Sequence, residues 1–207
     1  KAALSEAPME FTAAAEANPV QMYLPLPNGE MELMEVVESP VMEAALAAKY
    51  PNIRSFAARS VNNRLITARL DYAPHGLHAV ISTPEGYTAI EPFATQQTRF
   101  YSAYYMKHLQ SGPNELPCGF DAFEEEMELE LLQQEMLSMK TDLSFRNNEE
   151  VTLRQYRMAL VCTGNYGGNS SLGGGTVEST LATFNTAVNI LNQYFQVEFA
   201  IRFLLIE

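Results

Sequence analysis

The sequence predicts an α+β protein in which a β-rich antiparallel segment precedes a strand–helix–strand unit. Residues 20–105 are dominated by short alternating runs of polar and apolar residues, separated by turn sequences rich in Pro, Gly and Asn. Residues 151–207 contain instead an apolar strand, an amphipathic helix and a second apolar strand. With the polar stretch between them, these parts predict a division of the chain into residues 1–110, 111–150 and 151–207.

The β-rich segment is expected to contain hairpins and one short helix. The stretch "PNG" at residues 27–29 separates two extended runs, and Asn and Gly accept the positive φ of a tight turn. Beyond it, Ser39 can cap a helix that has Pro40 at its first position and ends before Pro51. From residue 65 onward, a period of two interrupted by "APHG" and "TPEG" predicts an antiparallel meander that closes with a strand in "TRFYSAYYMKHL".

Residues 111–150 differ in composition from what precedes them. "SGPNELP" has the composition of a loop, and "DAFEEEMELELLQQEMLSMK" has apolar residues at near-helical spacing among seven acidic ones. This pattern predicts a helix capped by Asp121, whose acidic residues most simply form a solvated face. The following "TDLSFRNNEE", residues 141–150, is a polar joint at which we expect proteolysis.

The last segment has the order of a right-handed crossover unit. A strand in "EVTLRQYRMALVCTG" ends at Gly164, a glycine-rich connection follows, and the strand "VEFAIRFLLIE" closes the segment. Two parallel strands need further strands to complete a sheet, so we expect the chain to stop inside a domain. The helix between them is expected to pack through an apolar stripe of Val177, Leu181, Phe184, Val188, Leu191 and Phe195.

Charge and composition exclude several classes of partner. The formal net charge is -12, with 25 acidic and 13 basic residues, so nucleic acid and anionic membrane surfaces are disfavoured as partners. No apolar run approaches the roughly 18 residues that span a bilayer. The chain begins at Lys1 without methionine, which fits removal of a leader. We therefore expect a secreted or extracellular protein.

Several stretches of the chain resemble one family of peptidases. "LRQYRMALVCTGNY", "GGTVESTLATFNTAVNILNQYF" and "FAIRFLLIE" are similar to the opening of the catalytic domain in bacterial reprolysin-like zinc metallopeptidases, which are adamalysin-related metzincins. "LPLPNGEMELMEVVESPVMEAALAAKYPNIRSF", "GLHAVISTPEGYTAIEPF" and "YYMKHL" resemble the propeptide of the same family. The resemblance covers nearly the whole chain apart from the acidic helix. It implies a β-rich propeptide followed by the start of a metzincin-like α/β domain.

The resemblance also implies a function for the parent protein. The family is zinc-dependent and cleaves peptide substrates through an HExxHxxGxxH motif, while the propeptide keeps its own mature catalytic domain latent. This chain lacks the motif, because none of His75, His78 and His108 is followed by Glu, so it should be inactive alone and bind no zinc by itself. A structural role is expected for each of these histidines. The chain also has Gly173 where relatives usually place a histidine before Gly-Gly-Thr.

Within this family resemblance, "LPCGFD" looks like the cysteine latch of a zymogen. Cys118 lies between Pro117 and Gly119, and its thiolate would take the zinc position that the catalytic water needs. Two other interpretations stay open, namely a disulfide with Cys162 and a thiol without a special role. Cys162 itself is expected to be a buried apolar residue in the strand "MALVCTG".

Two other functional classes compete with the propeptide interpretation. The chain could be a freestanding extracellular β-rich binding or interaction module without enzymatic activity. It could also be a hydrolase that uses carboxylates of the acidic helix, but a row of exposed glutamates gives no reason for perturbed pKa values. Inhibition of a cognate peptidase in trans distinguishes the propeptide from the module.

Overall fold

The computed structural model describes residues 2–94, 97–109, 152–170 and 173–207. Lys1–His108 and Thr152–Glu207 form one compact unit, a mixed α+β fold dominated by an antiparallel sheet. The predicted α+β class is therefore confirmed, whereas the division at residues 110 and 150 stays a prediction about the parent protein. The acidic helix capped by Asp121, the latch residue Cys118 and the joint at residues 141–150 lie outside the described residues.

The antiparallel sheet is a seven-stranded meander in which every strand pairs with its neighbours in sequence, as the period-two pattern predicts. The predicted hairpin at residues 27–29 is confirmed, and Gly29 has a φ of 88° there. A core of apolar side chains that come only from residues 4–90 packs on the sheet, so this segment has a core of its own. The strands are β1 Val20–Pro25, β2 Met31–Glu38, β3 Arg54–Ser60, β4 Thr67–Ala73, β5 Gly76–Thr83, β6 Gly86–Ala94 and β7 Gln97–Tyr105.

Gly76 at the start of β5 should be less replaceable than Gly86 at the start of β6. Both have φ near 120°, where a Cβ is strained, but a Cβ on Gly76 would also lie 2.8 Å from Cγ of Pro92, while Gly86 has no atom within 4 Å. We expect Gly76→Ala to lower the free energy of unfolding by about 2 to 3 kcal/mol and the control Gly86→Ala by about 1 kcal/mol. Urea denaturation of both variants measures this difference, and equal losses would contradict it.

The helices are short except for the last one. The predicted helix after β2 does exist, but it begins at Ala44 and not at Pro40, so this prediction was wrong at its N-terminal end. Residues 41–43 are extended instead, because they are held by hydrogen bonds to the last strand of the chain, which sequence periodicity cannot reveal. The helices are α1 Ala2–Ser5, α2 Ala13–Ala17, α3 Ala44–Lys49, the 3-10 turn Met106–His108, α4 Gly164–Gly168 and α5 Val177–Phe199.

The predicted strand–helix–strand unit is present. Strand β8, Arg154–Met158, pairs in parallel with β9, Ile201–Leu205, and α4 and α5 connect them. Both strands are shorter than predicted. Strand β8 ends at Met158, and β9 begins late because residues 197–199 continue the helix up to Ala200, whose φ of 53° ends it. On the other side of β9, Leu205 donates a backbone hydrogen bond to Val41 at 2.8 Å and accepts one from Glu43 at 2.9 Å. Residues 41–43 therefore form a single parallel bridge, from Met42 to Leu205, at the end of β9.

Helix α5 packs only in part as its apolar stripe predicts. Of the six stripe residues only Val188 is buried, while Val177 is 74% exposed and Leu191 is 37% exposed. Leu181, Phe184 and Val188 of the stripe do pack in or against the smaller apolar cluster, so the predicted apolar packing face is confirmed in part. The face that packs on the antiparallel sheet, by contrast, is largely polar. Of the buried polar residues of α5, Asn185, Asn189 and Gln193 bond the antiparallel sheet, whereas Thr180 bonds the carbonyl of Gly173 and Asn192 bonds the backbone of β9.

Candidate functional site

The polar face of α5 lies on β4 and its neighbours and makes side-chain hydrogen bonds to them. The amide of Asn185 bonds the hydroxyl of Ser55 on β3, with distances of 3.0 to 3.1 Å. About two turns further along the helix, the amide of Gln193 donates to the hydroxyl of Thr67 on β4 at 2.9 Å. Asn185 and Gln193 are almost fully buried, so these bonds satisfy groups that would otherwise be costly to remove from water.

Between these two contacts, Asp71, His75 and His78 form a cluster under the helix. Asp71 on β4 is the cross-strand partner of His78 on β5, and His75 lies in the turn between the two strands. The hydroxyl of Thr186 donates to Oδ2 of Asp71 at 2.6 Å and lies 3.4 Å from Nε2 of His75. The amide of Asn189 donates to Oδ1 of Asp71 at 3.5 Å. The ligating atoms of Asp71, His75 and His78 all lie within 4.8 Å of one another.

The protonation of this cluster is shifted by its burial. Burial raises the pKa of the Asp71 carboxyl to about 7, although the hydrogen bonds from Thr186 and Asn189 favour the ionised form and oppose that rise. Burial also lowers the pKa of His75, and burial together with the neighbouring His75 lowers that of His78 to about 4. At neutral pH the two imidazoles are therefore uncharged, and each keeps a nitrogen lone pair that can bind a cation.

A second buried polar group joins the β-rich segment to β9. Arg202 on β9 forms an ion pair with Glu10, donates to the hydroxyl of Ser39 at 3.2 Å, and donates to the carbonyl of Pro40 at 2.8 Å. Arg69 on β4 donates to the same Ser39 hydroxyl. Burial, reinforced by the charge of Arg202, lowers the pKa of Arg69 to about 10, although Glu10 opposes the shift. Two buried cations thus share one carboxylate.

Further ion pairs lie at the edge of the same contact. The guanidinium of Arg157 on β8 pairs with Glu43 at 2.6 Å, and the ammonium of Lys49 pairs with Glu207 at 2.5 Å. A smaller apolar cluster adds to these pairs and includes side chains from both parts of the chain. Its buried members are Val41, Met42, Leu46, Ile53, Ala73, Ala182, Val188 and Leu205.

An open groove of about 600 Å³ lies beside the apolar stripe of α5. Leu181 and Phe184 of the helix line one side, and Leu46 and Tyr50 of the β-rich segment line another. Val161, which is 94% exposed, and Cys162 lie at its margin. Much of the apolar surface of the strand–helix–strand unit is therefore not covered by the antiparallel sheet.

The residues singled out in the sequence differ in their environments, and Cys118 lies outside the described residues. The function of Cys118 as a latch therefore stays a prediction. Cys162 is an exposed free thiol in the segment after β8, so its predicted burial in a strand was wrong because β8 ends at Met158. Gly173 is packed so closely that a Cβ there would lie 2.6 Å from the carbonyl oxygen of Tyr166, which excludes a histidine in this backbone conformation. The ring of His108 lies against Tyr105, apart from the other two histidines.

Sequence analysis missed Asp71 as the third member of the histidine cluster. A signal was available, because the turn sequence "APHG" predicts a two-residue connection after Ala73, and that register places Asp71 opposite His78. The participation of Thr186 and Asn189 had no sequence signal, since it depends on which face α5 presents to the sheet.

Comparison with protein-family models identified no matching family, and searches of curated proteins and of solved structures found no match. None of the helices in the described ranges is long and apolar enough to cross a membrane.

Proposed function

We propose that this chain is the propeptide and the opening βαβ unit of a secreted zinc-dependent endopeptidase, in which the propeptide keeps the enzyme latent. The observation that carries the proposal is the contact between residues 1–108 and 152–207. The first segment has an apolar core cluster of its own, and the second packs on it through buried hydrogen bonds, ion pairs and a smaller apolar cluster that both segments share. Contacts of this mixed polar composition are typical of parts that can separate.

The free edge of β8 also supports the proposal. Residues 41–43 bond β9 only at its last residue, Leu205, and β8 has a strand neighbour on one side only within the described residues. Parallel strands are normally covered on both faces, yet the first four residues of β8 are exposed, and Tyr156 among them is 48% exposed. Further strands of a catalytic domain would extend the sheet from β8 and cover the apolar groove beside α5.

In this proposal, the β-rich segment binds the catalytic domain, and Cys118 blocks its active site. The β-rich segment binds the βαβ unit by adding residues 41–43 to the edge of β9, as an inhibitor binds by strand addition. Zinc, when bound by an HExxHxxGxxH motif of the parent enzyme, would activate water for peptide hydrolysis. The thiol of Cys118 would occupy the position of that water until proteolysis at residues 141–150 releases the propeptide.

Two measurements test the proposal: the sequence of the gene beyond the codon of Glu207, and inhibition of the mature peptidase in trans. We expect an HExxHxxGxxH motif within about 200 codons after that of Glu207, the length of one further domain. The mature peptidase from that reading frame should be chelator-sensitive and should be inhibited by added residues 1–150, which do not carry the chain's own βαβ unit. Cys118→Ser should weaken this inhibition by at least about tenfold, since a thiolate–zinc bond is lost, whereas the control Glu6→Gln at an exposed position should not.

Two results would contradict the proposal. If no metallopeptidase motif follows, or if the mature enzyme is not inhibited by residues 1–150, the freestanding binding module becomes the better explanation. If residues 1–150 inhibit and Cys118→Ser inhibits equally well, the propeptide function holds but the thiol is not the latch.

A further inference from the structure

We propose that Asp71, His75 and His78 form a binding site for one divalent transition-metal ion, with Zn²⁺ as the favoured ion, which departs from the expectation that this chain binds no zinc by itself. The site lies on the β4–β5 hairpin beneath α5 and is independent of the latch function proposed for Cys118. Two imidazoles and one carboxylate are a common ligand set for zinc and for Co²⁺, Ni²⁺ and Fe²⁺, whereas Mg²⁺ and Ca²⁺ favour oxygen ligands.

The distances between the candidate ligand atoms are somewhat longer than those of a formed metal centre. Nδ1 of His78 lies 3.8 Å from Oδ2 of Asp71, and the ring centroids of His75 and His78 are 4.6 Å apart. Two ligands of a tetrahedral zinc, each bonded at about 2.0 to 2.1 Å, lie about 3.3 Å from each other. The candidate ligand atoms, all within 4.8 Å of one another, would thus have to approach by up to about 1.5 Å to bind one ion.

The polar atoms around the cluster also fit a cation. Nδ1 of His78 is buried and has no hydrogen-bond partner among the described residues, although it faces the Asp71 carboxylate. Oδ1 of Asn189 is likewise buried without a partner in that part of the chain, while the amide nitrogen of the same side chain contacts Asp71. A bound ion would give the imidazole nitrogen a partner, and the amide oxygen could be a fourth ligand or accept a hydrogen bond from a metal-bound water.

The helix supplies the outer contacts that a metal site requires. The 2.6 Å hydrogen bond from Thr186 fixes the carboxylate of Asp71, as outer partners of metal-bound carboxylates do. His75 and His78 are only partly buried, and the His78 side chain keeps 19% of its surface exposed, so an ion can reach them from solvent. A metal at this position would stiffen the hairpin that α5 packs on, and would strengthen the contact between the two segments.

Metal titration of the 207-residue chain tests the site. The background is the Cys118→Ser, Cys162→Ser variant, which removes both thiols, after treatment with a chelator and dialysis. Calorimetry with Zn²⁺ should show one ion bound at micromolar concentration, and Co²⁺ should give the visible absorption of a four-coordinate centre without thiolate ligands. His75→Gln and His78→Gln should each abolish this binding, and Thr186→Val should weaken it by about tenfold to 100-fold.

His108→Gln is the matched control, because His108 is exposed and contacts Tyr105 outside the cluster. It should leave the affinity unchanged. A measurement that needs no cluster variant is the proton NMR spectrum, in which Zn²⁺ should shift the imidazole resonances of His75 and His78 but not of His108. Absence of binding at millimolar Zn²⁺, or a shift confined to His108, would overturn the proposal.

Discussion

Replacing Glu10 by Gln is expected to lower the free energy of unfolding by about 3 to 5 kcal/mol, the cost of breaking a buried ion pair from one side. Glu10 pairs with Arg202, and Arg69 lies in the same buried group through Ser39. Gln keeps the shape of the side chain but removes its charge, so two guanidinium groups would stay buried without a carboxylate. Urea denaturation of the full chain measures the loss.

Glu6→Gln is the control for this variant, because Glu6 is exposed four residues earlier. It should change stability by less than about 0.5 kcal/mol. Arg69→Met, added to Glu10→Gln, should restore part of the lost stability, because it removes one of the two buried positive charges. A loss below about 1 kcal/mol for Glu10→Gln, the range of an exposed ion pair, would contradict the buried arrangement.

Leu205→Ala should cost about 2 to 5 kcal/mol, because it removes a fully buried side chain and leaves a cavity. Leu205 is 2% exposed in the apolar cluster shared by the two segments, and its backbone bonds both Val41 and Glu43. The cavity would form where the βαβ unit docks, while the core of the antiparallel sheet is untouched. Leu65→Ala is the matched control, since Leu65 is 76% exposed.

Hydrogen exchange shows whether the two segments unfold separately or as one unit. In Leu205→Ala we expect protection to fall first in residues 152–207 and 41–43, and to persist in the central strands β4 and β5, which belong to the separate core. Equal loss of protection in all these strands would mean that the two segments unfold as one unit. That result would weaken the argument that the β-rich segment is a separable propeptide.

The proposals on Cys118 and on the histidine cluster concern different chemistry. The first places a thiolate on the zinc of a parent enzyme, and its test is inhibition of that enzyme. The second places a metal on Asp71, His75 and His78 of this chain, and its test is titration in the absence of thiols. Failure of either one leaves the other intact.

Local patterns predicted most elements but not their ends. The alternation around residues 65–70 and the turn at residues 27–29 act through neighbouring residues, and the structure has the meander and the hairpin that they predict. The start of α3 was mispredicted because the side chain of Ser39 bonds residues of other strands. Its hydroxyl bonds Arg69 and Arg202 from distant strands, so it cannot cap a helix at Pro40.

The candidate site was only partly predictable for a related reason. His75 and His78 were visible as a pair in a Pro/Gly turn, and the hairpin register could have added Asp71. Thr186 and Asn189 reach the cluster only because α5 turns its polar face to the sheet. The helical period identified both faces of α5, but the period cannot determine which face a sheet will cover.

The sequence by itself determined the α+β class, the antiparallel meander, the parallel strand–helix–strand unit and the strongly acidic charge, because each depends on short-range periodicity, turn chemistry or composition. Only the tertiary structure decided that residues 41–43 pair with β9, that Glu10 meets Arg202, and that Asp71 gathers with two histidines under α5. These contacts join residues far apart in the chain, and they form where hydrogen bonding and burial outweigh local preference.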